Sequence, residues 1–323
     1  MEGEARLGRH ALALLGLLAL VVVGARFSAP AHAATGCPGV ITQNTALTDD
    51  VVAVPGGPTE CIRFGVGGIT LDLNGHTVDI RPLHMTGRAV AVDGASDVTV
   101  EGPGTFITTY DNATLSPRAF RIRNSSNLTI SDVHVLNLDA NGNPEPIGKR
   151  VGRGMDLEMI TGARVTGNEF AYFGRGIYLL DSNGLPGWDM IASNSTHDNA
   201  IDVARSFGIG LFGSSGWKIT RNKVTRNGSR ANVQAGIQLQ TGSNDNTVTR
   251  NHANRNLGGG ISADSDTSGN VIEGNVALHN GAPGAGPDLA DANAAPSPNT
   301  WDPDNRCEYE AGSVPAGVCN PGE

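Results

Sequence analysis

Between Gly208 and Asn280 the apolar and polar positions spell one pattern three times. The units open Gly208-Ile-Gly-Leu-Phe, Gly236-Ile-Gln-Leu-Gln and Gly260-Ile-Ser-Ala-Asp, 28 and then 24 residues apart. Each runs on to two asparagines five residues apart: Asn222/Asn227, Asn251/Asn256 and Asn275/Asn280. Within a unit the apolar residues alternate, as in Ile237 and Leu239 or Trp217 and Ile219, which is the two-residue period of a strand with one buried face. No amphipathic helix is written here. A repeat of short strands and tight turns cannot bury its own apolar face, so it must stack on a copy of itself as a solenoid. Asparagine tolerates the left-handed backbone of a sharp corner, and stacked carboxamides hydrogen-bond from coil to coil; the columns containing Asn194, Asn222, Asn251 and Asn275 are therefore expected to be corner posts.

These repeats resemble the secreted right-handed parallel β-helix proteins, the pectate-lyase-like superfamily, over roughly Cys37 to Trp301. Leu71-Asp-Leu-Asn-Gly-His76 closely resembles the opening coil of many of its members, with His76 read as structural. The resemblance implies an all-β, right-handed parallel β-helix. It does not specify a chemistry, because the superfamily holds polysaccharide lyases, hydrolases and epimerases as well as non-catalytic proteins. The motifs of its well-marked enzymes are missing: there is no strand-borne Asp-Asp pair followed by Arg-x-Lys, no Asp-Pro-His and no Arg-x-Pro-x-x-Arg.

Further strands are expected at Val90 to Val92, Val98 to Val100, Phe120 to Ile122, Leu128 to Ile130, Met155 to Leu157, Val165, Ile177 to Leu179 and Met190 to Ile191. Two excursions, Leu138 to Arg153 and Thr196 to Phe207, break the alternation and read as loops leaving a corner. The expected organisation is a signal peptide at 1–33, an N-terminal cap at 34–62, the β-helix at 63–301 and a disulfide-tied tail at 302–323, with residues 281–300 an irregular last coil. The signal rests on basic Arg6 and Arg9, the apolar run Ala11 to Ala25 and the small-residue site Ala31-His32-Ala33. That run is short for a membrane span, which needs ~18 residues or more. The chain is expected to be secreted and free of the membrane.

Composition sharpens this only in places. With 44 glycines, 17 prolines and 5% aromatic residues, the chain is rich in turns and has an aliphatic core. The formal charge is −9, and removing residues 1–33 takes it to about −10. This balance shows no basic stripe and argues against a nucleic-acid partner. The four cysteines fall in two close pairs, Cys37 with Cys61 and Cys307 with Cys319. An oxidising compartment makes these disulfides at the two ends; no CxxC spacing or histidine cluster supports metal.

With Phe120, Met155, Ile177, Ile209, Ile237 and Ile261 inward, one outward column reads Arg121, Asp156, Tyr178, Gly210, Gln238, Ser262. The next reads Asp93, Arg123, Glu158, Leu180, Phe212, Gln240, Asp264. Rungs lie about 4.8 Å apart, so Arg121, Arg123, Asp156, Glu158 and Tyr178 gather on three rungs, beside the loop carrying Lys149, Arg150 and Arg153. One reading is a salt-bridge ladder on an exposed face. The other is a catalytic site for a uronate polymer: the arginines pair with a carboxylate, Asp156 or Glu158 serves as base or calcium ligand, and Tyr178 donates a proton. The lesser candidates are His197, Asp198 and Asp202 for a metal, against solvated surface, and Trp188 and Trp217 for sugar stacking, against packing; Asp49-Asp50 reads as a turn. Both functional classes stay open: a monomeric lyase, epimerase or hydrolase acting on an extracellular polysaccharide with calcium a candidate cofactor, or a non-catalytic extracellular β-helix protein.

Overall fold

The computed structural model describes residues 36–110, 117–185, 187–199, 206–229, 234–281 and 286–319, leaving aside the side chains of 84–86. The expected signal segment and Asp202 lie outside the described residues. Every strand pairing between named strands is parallel, and the strands stack in three columns. One is a sheet of eleven strands running from Gly39–Ile41 to Glu310–Gly312. The other two are stacks of ten short strands, joined where Thr99–Thr108 and Ser126–Asn137 run through both. The fold is thus an all-β parallel solenoid, and the described residues hold no α-helix, only 3-10 turns such as Ile147–Lys149.

Inside, like stacks on like. Phe120, Met155, Ile177, Ile209, Ile237, Ile261 and Leu289 face one another in register and are all fully buried. Each such side chain contributes roughly 1.5–3 kcal/mol relative to exposure. The corners are turned by residues in the left-handed conformation, among them Ser193, Arg221 and Arg250 at one and Asp198, Arg226 and Arg255 at the next, with φ of 55–56°. Beside the first run the expected posts: Asn168, Asn194, Asn222, Asn251, Asn275 and Asn305 each pass a carboxamide hydrogen bond to the next. A second post runs Asn199, Asn227, Asn256, Asn280 and ends on Asp288. A third, Asn246, Asn270 and Asn299, was not anticipated.

Both expected disulfides are present, Cys37–Cys61 and Cys307–Cys319. The ends differ from expectation in one respect. Gly39–Ile41 pairs with the following strand Glu60–Phe64, and Thr300–Trp301, Arg306–Cys307 and Glu310–Gly312 each pair with the coil before, so the stack continues through the segments read as cap, irregular coil and tail. The physical reason is that Asn299, Asn305 and buried Trp301 continue the posts and the core after the alternation of aliphatic residues has thinned out. The first excursion is a loop as expected, with strand resuming at Arg153. The second starts later, because Ser195–His197 is a strand whose buried Thr196 pairs with Phe170 and Val224.

Candidate functional site

On the eleven-stranded sheet, four successive strands open with an arginine: Arg88–Asp93, Arg118–Arg123, Arg153–Glu158 and Arg175–Leu180. Arg118, Arg153 and Arg175 are in register, and Phe207 follows them on the next rung. Beside this column stands the one read from the sequence, Arg121, Asp156, Tyr178, Gly210, and beyond it Asp93, Arg123, Glu158, Leu180. The register therefore brings all five expected site residues onto neighbouring rungs.

Their partners are not the expected ones. Asp156 does not pair with Arg121: both its oxygens are held by Arg153 Nη1 at 2.7 and 2.8 Å, and Arg118 makes a second ion pair with it. Long arginine stems cover it, leaving the residue 1% exposed. Asp156 is thus enclosed by guanidinium groups rather than open to solvent. A carboxylate with two guanidinium partners has neither a free oxygen nor a field that welcomes another cation. Burial pulls the Arg118 guanidinium pKa down, with Asp156 opposing it. Arg123 likewise pairs with Asp93 rather than Glu158, through Nε at 2.8 Å and Nη2 at 2.5 Å, and this holds Asp93 below the usual carboxylate range. Opposite charges thus pair across adjacent rungs at Asp93–Arg123, at Arg118–Asp156 and at Glu60–Arg88, the last 3.0 Å apart.

Two expected residues remain unmatched. The Arg121 Nε is buried without a hydrogen-bond partner, and the Glu158 carboxylate makes no ion pair among the described residues. Arg121 borders a cleft of about 180 Å³ with Glu60, Arg63, Asp93 and Arg123. Tyr178, buried though outward, lies between Arg153 and Arg175, whose guanidinium carbons stand 4.8 and 4.9 Å from its ring centroid, and packs on Phe207 at 5.3 Å. The Phe207 ring lies over Gly210, where a Cβ would collide with it. Arg118 and Arg175 were missed from sequence because alternation counted back from Arg121 lands on Ala119. The signal was the recurrence of arginine before a small residue, Arg118-Ala, Arg153-Gly and Arg175-Gly.

The long loop delivers Arg153 to this face but not Arg150. Arg150 points to the other side of the corner, donating to the carbonyls of Glu145 and Asp198 and lying over the Tyr172 ring. There His197 sits between two carboxylates, with Nε2 2.6 Å from Glu169 and Nδ1 2.9 Å from Asp198. Its hydrogen bonds to Asp198 and Glu169 raise the imidazole to about 9, and Glu169, bonded also by His134, is lowered to about 2. Burial works against the charge on Asp198, but Arg226 and His197 hold it below the usual range. An imidazolium donating on both sides ties Glu169 to Asp198, so this cluster acts as a clamp. Among the described residues no group of three or more His, Cys, Asp or Glu side chains could hold a metal ion.

Trp217 is core, with its Nε1 donating to Ser182 O at 3.1 Å. Trp188 is 40% exposed under Arg164, and with Leu185 it borders an open hollow of about 600 Å³. His76 and Asp50 meet at 3.5 Å in the turn of the opening coil. No described helix is long and apolar enough to cross a membrane.

Among solved structures the chain is similar to the periplasmic alginate epimerase AlgG (as a double mutant), at 13% identity and a TM-score of 0.42, covering 76% of this chain and 65% of that one. It is similar to the Dettilon tailspike protein gp208 at 11% identity and a TM-score of 0.37, covering 84% of this chain and 60% of that one. It is also similar to the Azotobacter vinelandii mannuronan C-5 epimerase AlgE6 A-module at 12% identity and a TM-score of 0.33, covering 75% of this chain and 69% of that one. The chain thus spans less than two thirds of the length of the first two. No curated protein matches. The family model described as right handed beta helix region matches residues 118–295, more than half of the chain, and the protein belongs to that family.

Proposed function

We propose that the protein works outside the cytoplasm on a polysaccharide bearing carboxylates, held along the arginine columns of the eleven-stranded sheet. The observation that carries this reading is the buried, unpartnered Nε of Arg121 beside a cleft and on a face where arginines outnumber carboxylates. A buried charged donor without a partner is costly, and an incoming carboxylate supplies what it lacks. Two disulfides support an oxidising setting.

The chemistry that suits the face is elimination or epimerisation beside a uronate carboxylate. Such a step requires the carboxylate to be neutralised, a ring proton removed and a proton returned. Arg121 neutralises the carboxylate, assisted by Arg118 and Arg153. Tyr178 and the free carboxylate of Glu158 move the proton, while Asp156 holds the arginines in place. The test is incubation of the protein with polymannuronate, polygalacturonate and a neutral glucan, reading unsaturated-product absorbance, reducing ends and bound polymer. Turnover confined to uronates, lost in Arg121→Ala and in Tyr178→Phe with Tm within a few degrees of the parent, is the expected result. The closed state of Asp156 favours a second reading, binding without catalysis. Binding that Arg121→Ala weakens, with no product from any polymer, selects it. A protein that neither binds nor converts a uronate removes both.

A further inference from the structure

The chain is acidic, with a formal charge of −9, and no basic stripe is expected from its sequence, yet stacking brings six basic side chains together on two consecutive rungs of one ten-strand stack. Strand Lys223–Thr225 lies between corner residues Arg221 and Arg226, and strand His252–Asn254 between Arg250 and Arg255. The rungs are in register: Lys223 faces His252, while Thr220 with Thr249 and Thr225 with Asn254 bring each arginine beside its counterpart. All six are exposed. Arg226 is bound to Asp198, but among the described residues Arg221, Lys223, Arg250 and Arg255 have no ion-pair partner.

The backbone adds an independent observation. All four arginines are in the left-handed conformation, with φ of 55–56°. That conformation penalises side chains with a Cβ and is met most cheaply by Gly, Asn or Asp. Elsewhere among the described residues most such positions hold those residues, as at Asp97, Asp181 and Asp245 with φ of 49–57°, with Met159, Tyr172, Ser193 and His279 the exceptions, and Gly274 takes over from Arg250 on the next rung. The corner itself therefore does not ask for arginine. Four strained positions given to the same cation on two adjacent rungs point to selection for charge at that place.

We propose that these two rungs form a second binding surface, on a different face from the arginine columns, for a linear anionic polysaccharide. The two rows lie about 4.8 Å apart and each extends about 15 Å along the strand, so a chain laid between them meets cations from both sides over several charged repeats. The six-residue surface carries no Phe, Tyr or Trp on which a base could stack, which favours a polysaccharide over a single-stranded nucleic acid. This surface stands independently of the reading of the sheet face.

The experiment measures binding of labelled polygalacturonate, sulfated dextran and single-stranded DNA at rising salt. The triple variant Arg221→Asn, Arg250→Asn, Arg255→Asn is compared with its parent, both carrying Arg121→Ala so that the sheet face does not contribute. Asparagine suits the corner backbone, so the triple variant keeps or raises Tm. The expected result is salt-sensitive binding of a polysaccharide by the Arg121→Ala parent that the triple variant weakens about tenfold. Preference between carboxylated and sulfated polymer tells which anion is read. Parent-like binding by the triple variant, binding of neither polysaccharide by the parent, or preference for DNA overturns the proposal.

Discussion

Asp189 shows at the scale of one residue what this interior demands. It is 3% exposed, its Oδ1 accepts from the Ala163 amide, and its Oδ2 is buried without a partner. It stands where the third post would continue, but the residue at this position on the next rung is Trp217, which offers no carboxamide. Burial pushes the carboxyl up to about 6. The folded state therefore binds a proton that the unfolded state has released, and stability that is complete below pH ~4 falls as pH rises through about 6. Asp189→Asn is expected to flatten that slope and to gain up to about 3 kcal/mol at pH 8. Denaturant unfolding of both proteins at pH 4, 6 and 8 checks it, and parallel curves would contradict it.

At the scale of an element, the asparagine posts do what strand pairing alone does not. Asn222 accepts from the amide and side chain of Asn194, both at 3.0 Å, and donates to Ile191 O at 2.8 Å and Asn251 Oδ1 at 2.9 Å. All its hydrogen-bonding capacity is spent inside the corner. Asn222→Ala orphans buried groups on both neighbouring coils and should cost about 2–4 kcal/mol, read as a lower denaturant midpoint with m unchanged. These posts were legible because asparagine recurs at fixed spacing wherever the corner is tight. The third was not, since its Asn246, Asn270 and Asn299 lie among irregular turn residues. The columns of the long sheet were legible for the same reason of register, but the ion pairs were not. Arg153, three residues before Asp156, reaches it more readily than Arg121 does across the rung.

For the whole molecule, the two disulfides close the places where stacking has only one neighbour. Cys37–Cys61 spans 24 residues and Cys307–Cys319 spans 12; a loop near the longer length is worth about 3 kcal/mol in the chain-entropy account. In a solenoid each coil contacts only its neighbours, so loss at one end stays there. Reduction should strip hydrogen-exchange protection from Gly39–Ile41 and Glu310–Gly312 while Ile209 and Leu211 keep theirs. Uniform loss across all coils would show a single cooperative unit instead.

The sequence by itself determined the solenoid, its inward rows, two of its posts, its disulfides and the rungs that carry Arg121, Asp156 and Tyr178. These follow from periodicity, and a period is a local property of the chain. Only the tertiary structure decided which guanidinium meets which carboxylate, because that choice depends on side-chain reach across three rungs. It left Arg121 and Glu158 unmatched, enclosed Asp156, and turned Arg150 away to Asp198. It also gathered Arg221, Arg226, Arg250 and Arg255 into one surface on an acidic chain, since residues 24 to 34 positions apart become neighbours only when the coils stack.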